Sequence, residues 1–149
     1  MKQLLTKLGQ VLLRSFSTGP ILVIDGITYD QKTNEPVTGT VKSFHENGQL
    51  KTRENYKDGK LDGPFEYFFE DGQLWWRRNY KDGKEDGLNE WFYDNGQLRY
   101  RRNFKDGELE GLWECYYENG QLWERGNYKD GEEPALLWWC TPSAPMEQI

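Results

Sequence analysis

The 149-residue chain has two cysteines, one histidine and no long apolar run. Cys115 and Cys140 are too few for a disulfide framework or a metal site by count, and both are expected to be reduced. A lone His45 excludes a catalytic triad, a histidine pair and a His-based metal cluster, and its place beside a turn predicts a solvated ring. The longest apolar stretches are broken by Lys, Gly or Pro well short of the ~18 residues that span a bilayer. Positive charge is also short, 19 Lys and Arg against 25 Asp and Glu, for a formal net charge of −6. Such a surface repels polyphosphate backbones, so nucleic acid is not an expected partner.

What the chain does contain is one phrase repeated. "ENGQL" begins at Glu46, "EDGQL" at Glu70, "DNGQL" at Asp94 and "ENGQL" at Glu118, which sets Gly48, Gly72, Gly96 and Gly120 at a constant spacing of 24 residues. "NYKDG" keeps the same step from Asn55, Asn79, Asn103 (as "NFKDG") and Asn127. A fixed period of this length marks stacked supersecondary units, none of which buries its apolar surface alone.

Asn-Gly and Asp-Gly between alternating apolar residues are strong hairpin signals. Type I′ turns are therefore expected at Asn47-Gly48, Asp71-Gly72, Asn95-Gly96 and Asn119-Gly120. Two-residue turns there set Glu66 against Arg77, Glu90 against Arg101 and Glu114 against Arg125, three cross-strand ion pairs in equivalent places. Lys42 would face Arg53, a like-charge pair that predicts a weaker first hairpin. Gly39, Gly63, Gly87 and Gly111 fall opposite Tyr56, Tyr80, Phe104 and Tyr128, with a ring over each bare backbone. "YKDGKLDG" from Tyr56 to Gly63 returns the chain through a second turn.

The pattern predicts an all-β fold: an elongated single-layer antiparallel meander of hairpin repeats, with no covering layer to supply an ordinary core. The repeats are placed at 39–62, 63–86, 87–110 and 111–134, after a half-repeat at 21–38. Residues 1–18 hold Leu4, Leu8, Val11 and Leu12 at helical spacing with Lys2, Lys7 and Arg14 and no acid, so a short amphipathic helix is expected. It would cap the sheet, touch anionic lipid or act as an organelle-targeting segment. Residues 135–140, "ALLWWC", read as a capping strand, and 141–149 as a loose tail.

No residue set converges on chemistry. "DGKLDG" at Asp58 to Gly63 has acids at alternate positions but Lys60 in the middle, so turn chemistry is the better reading. Three identical Glu and Arg pairs point to a structural device, since a catalytic site needs one asymmetric constellation. No enzymatic activity, cofactor or metal is expected. One face gathers Tyr67, Trp76, Trp91, Tyr93 and Tyr100, more large aromatics than folding requires, and these are the candidate partner-binding residues.

With "NGQL" at Asn47 to Leu50, "NYKDGK" at Asn55 to Lys60 and "DG" at Asp62 to Gly63, the chain resembles the variant MORN repeat family over about residues 23 to 134. It is similar in particular to bacterial proteins of the YwqK antitoxin family. The resemblance implies an extended β-meander used for protein contacts, and for the YwqK proteins an antitoxin role. The expectation is thus a non-enzymatic protein-interaction module, with a toxin as the partner and steric masking as the mechanism. The alternative is a peripheral membrane scaffold held by residues 1–18. A cytoplasmic or membrane-peripheral location is expected, with organelle targeting as an alternative.

Overall fold

The computed structural model describes residues 20–128. The helix expected over 1–18, the capping strand at 135–140 and the tail at 141–149 lie outside the described residues. Within that range every element is a strand. They run β1 (Ile21–Ile24), β2 (Ile27–Asp30), β3 (Glu35–Pro36), β4 (Gly39–Phe44), β5 (Leu50–Lys57) and β6 (Lys60–Phe68). Then come β7 (Leu74–Lys81), β8 (Lys84–Glu85), β9 (Gly87–Phe92), β10 (Leu98–Lys105), β11 (Glu108–Tyr116) and β12 (Leu122–Asn127). The first three form a small sheet. The rest form one antiparallel meander in the order β12-β11-β10-β9-β7-β6-β5-β4, with β8 alongside β7. The antiparallel meander read from the sequence is the fold.

The turns differ from the expected type. At Asn47-Gly48 only Gly48 takes positive φ, +85°, while Asn47 does not. The His45 N–H bonds the Gln49 carbonyl at 2.8 Å, and the Gly48 N–H bonds the His45 carbonyl at 2.9 Å. This is a three-residue loop, a type I turn closed by a glycine bulge, and the Asn47 side chain braces it by accepting the Gln49 N–H at 2.9 Å. A bulge follows, for Phe44 pairs with Leu50 but Ser43 with Thr52. The longer loop and the bulge offset each other, so the strands regain the expected register. Gly72, Gly96 and Gly120 repeat the arrangement. Type I′ turns occur instead at Asp58-Gly59, Asp82-Gly83 and Asp106-Gly107, where both residues have positive φ. Asp25-Gly26 does the same between β1 and β2.

Neighbouring repeats are bonded through these turns. Gly59 N–H donates to Val37 carbonyl, Gly83 to Leu61 and Gly107 to Glu85, each at 2.8 Å and each one period further along. The N–H groups of Asp58, Asp82 and Asp106 are accepted by the side chains of Thr38, Asp62 and Asp86 in the preceding repeat. On the opposite edge Asn47 Nδ2 donates to the Glu70 carbonyl and Asn95 Nδ2 to the Glu118 carbonyl, both at 2.9 Å. Asp71, a carboxylate, has no donor for the equivalent bond. Gln73 and Gln97 set their side-chain oxygens under the next loop's glycine, at Gly96 and Gly120. The repeated phrase therefore specifies both a turn and the seam to the next one.

Candidate functional site

One face of the large sheet carries the charges. Registers place Arg53, Glu66, Arg77, Glu90, Arg101, Glu114 and Arg125 in a single row across seven strands. Each glutamate stands opposite the arginine of its own hairpin, yet its ion pair runs the other way. Glu66 bonds Arg53 at 2.9 Å, Glu90 bonds Arg77 at 2.5 Å, and Glu114 bonds Arg101. The expected pairs Glu66–Arg77, Glu90–Arg101 and Glu114–Arg125 are thus neighbours in register but not the bonded partners. The physical reason is that every carboxylate has a guanidinium on both sides, and the bonded one lies across the repeat junction. Arg53, expected to weaken the first hairpin against Lys42, is held by Glu66. Burial works to raise the Glu114 carboxyl, but hydrogen bonds from Arg101 and Tyr116 outweigh it and hold the group below its ordinary value.

The other face holds the core. Tyr67, Trp76, Trp91, Tyr100 and Cys115 form one continuous row from β6 to β11. Tyr67 stacks on Trp76 with centroids 5.7 Å apart, and Trp91 lies 5.4 Å from Tyr100. Exposure falls to 6% at Trp91 and 0% at Tyr100, so these two are not accessible contact residues, contrary to the expectation for this face. On this face the Tyr100 hydroxyl meets the hydroxyl of Tyr128, just beyond β12, at 2.7 Å. The guanidiniums of Arg78 and Arg102 also cover the Trp91 ring, at 5.6 and 5.2 Å. Tyr67 and Trp76 remain half-buried. Tyr93 is not in this row; at the loop edge its hydroxyl donates to the Tyr116 carbonyl at 2.8 Å.

Two further expectations are corrected. His45 is half-buried, its Nε2 donating to the Phe68 carbonyl at 2.9 Å with Tyr67 at its edge, so the ring bonds the next repeat. Tyr93, two periods along, does the same work with a hydroxyl. Cys115 is 1% exposed and disulfide-bonded, not a free thiol, and Cys140 is the only other cysteine in the sequence.

Among the described residues no group of three metal-ligating side chains comes together, and no helix is long and apolar enough to cross a membrane. The large apolar side chains that stand exposed include Phe44, Leu88, Leu112, Tyr117, Leu122 and Trp123. Sequence reasoning missed them, although Leu88 and Leu112 are marked by sharing one repeat position with Thr40 and Pro64. A shallow groove of ≈ 510 Å³ opens between those two leucines, lined also by Arg101, Asn103, Glu110 and Gly111.

The match to known families follows this geometry. The MORN repeat variant matches residues 37–58, 61–84, 85–106 and 109–130, more than half of the chain. The chain belongs to the MORN repeat variant family. Its four blocks fall on the hairpins and junctions described above, and MORN repeats serve in protein–protein or membrane interactions. No curated protein matches this MORN chain.

Proposed function

We propose that this MORN protein is a non-enzymatic protein-interaction module, and more specifically an antitoxin or immunity partner of the YwqK type that acts by covering its toxin. The observation that carries the reading is how the motif is used. The polar groups of "NGQL" bond the next repeat and those of "KDG" the preceding one, which leaves a cross-linked sheet whose exposed side chains change from copy to copy. A surface of that kind offers fixed contacts with little ordering on binding. Catalysis, cofactors and metals have no part in the proposal. Co-expression with the product of the neighbouring gene in its own genome tests it. A stable complex that restores growth supports the antitoxin reading, whereas growth arrest without complex formation refutes it.

A second reading has one observation in its favour, the acid-free basic segment with Lys2, Lys7 and Arg14. A peripheral membrane role predicts flotation with phosphatidylserine vesicles that is lost on deleting residues 1–18. The disulfide at Cys115 also favours a compartment that permits disulfides over the cytoplasm. Thiol labelling of the protein from its own cells tests that choice.

A further inference from the structure

Each repeat junction contains a bulge at which an asparagine faces a glycine. In two junctions the asparagine closes the bulge. Asn55 lies 3.4 Å from the position a Cβ would take on Gly63 and donates to the Pro64 carbonyl at 2.6 Å. Asn79 stands in the same relation to Gly87, also at 3.4 Å, and donates to the Leu88 carbonyl. At the third junction the sequence supplies the same residues, Asn103, Gly111 and Leu112, but neither contact is made. Among the described residues nothing lies within 4 Å of a Cβ built on Gly111, whose φ is +70° rather than +106°. The groove between Leu88 and Leu112 opens there.

The same junction differs in charge. Lys60 and Lys84 follow the first two aspartyl-glycine turns, and Glu108 follows the third. Asp106, Glu108 and Glu110 are all exposed, Glu110 lines the groove, and the nearby Lys105 is bonded to Asp86 at 2.8 Å. Arg101, the one cation among the described residues that line the groove, is engaged by Glu114. The groove therefore has two leucine walls on strands two spacings apart, about 9–10 Å, an open carboxamide on its floor and a negative rim.

We infer that this third junction is a docking site for an extended segment of a partner protein, one carrying a leucine-sized apolar side chain next to a lysine or arginine. The apolar side chain fills the space between Leu88 and Leu112. The Asn103 carboxamide, which can both donate and accept, meets the backbone of the segment. Its basic residue meets Glu110, where charge complementarity sets the choice of partner. The inference rests on the protein-interaction reading above and names the partner's chemistry.

The test uses the full chain, ¹⁵N-labelled, and three short capped synthetic peptides: one with leucine flanked by lysines, one with glutamates for the lysines, one with glycine for the leucine. The first is expected to shift the Asn103 side-chain and Gly111 backbone signals, and to leave Asn79 and Gly87 at the closed junction unmoved. The other two should shift neither. Glu110→Lys should weaken binding about tenfold while the rest of the spectrum keeps its native dispersion. Equal response to all three peptides, shifts centred elsewhere, or shifts that appear on concentrating the protein alone would each overturn the inference. The last would assign the groove to a second copy of the chain. A toxin complex that survives Glu110→Lys and Asn103→Ala would sink the groove and leave the antitoxin reading standing.

Discussion

Glu90 faces Arg101 across its own hairpin but gives its carboxylate to Arg77, one strand back, at 2.5 Å. The glutamate side chain is 12% exposed and the arginine 39%, so the pair sits at the edge of solvent and is worth about 1 kcal/mol or less alone. Its direction matters more than its strength. The same choice at Glu66 and Glu114 turns three within-hairpin pairs into three bonds across repeat junctions. Together with the asparagine and aspartate bonds at the two edges, this makes each repeat depend on its neighbour, as expected of a solenoid-like array.

The turns give a first prediction. Gly26 and Gly59 occupy equivalent type I′ positions, with φ of +77° and +78°. A Cβ on Gly26 meets open space, whereas one on Gly59 would collide with the Ile27 side chain and lie 2.9 Å from the Thr28 carbonyl. Gly26→Ala should cost about 1 kcal/mol for the backbone alone, and Gly59→Ala about 2–4 kcal/mol because the small sheet must shift. Urea melts of the two variants check this, and equal losses would count against the close docking of β2.

Asp71 gives a second. Asn47 and Asn95 bond the next loop's carbonyl, and the aspartate between them has no N–H to offer. Asp71→Asn should stabilise the protein by about 0.5–1.5 kcal/mol, the net worth of one hydrogen bond. It should also keep the brace on the Gln73 N–H, now made by Asp71 Oδ1 at 2.9 Å. Thermal melting reads the gain, and a lowered Tm would show that the edge contacts do not couple the repeats.

Acid sensitivity gives a third. Glu114 has a folded pKa below its ordinary value of 4.5, so as pH falls the unfolded chain takes up the proton first. The stabilisation is complete above the unfolded pKa and is lost as pH drops through the lower, folded one. The wild type should lose more stability than Glu114→Gln on going from about pH 6 to about pH 3. Parallel pH profiles would mean that the Arg101 and Tyr116 bonds do not hold the ionised form in solution.

The period, the strand order and the register were legible because each is carried by spacing, and spacing survives without knowledge of the third dimension. Turn type was not, since Asn-Gly suits both a type I′ turn and a glycine-bulge loop. What decides at Asn47 is a side-chain bond to Gln49 and a compensating bulge at Lys51. The ion-pair partner was hidden for a related reason: Glu90 has an arginine on either side, and the pattern alone favours neither. Burial of Trp91 and Tyr100 goes with Arg78 and Arg102 lying across the Trp91 ring and with the Tyr128 hydroxyl reaching that of Tyr100. None of these can be read from alternation along a strand. The groove at Asn103 was the least visible, because the asparagine and glycine that close the other two junctions are present here as well.

The claim that repeats are joined by bonds directed across their junctions is tested most directly by two double-mutant cycles that share Glu90. One pairs Glu90→Ala with Arg77→Ala, the other with Arg101→Ala, each read by chemical denaturation. The account predicts a coupling of about 0.5–1 kcal/mol with Arg77 and close to zero with Arg101. A larger coupling with Arg101 would put the bond back inside the hairpin and contradict the account.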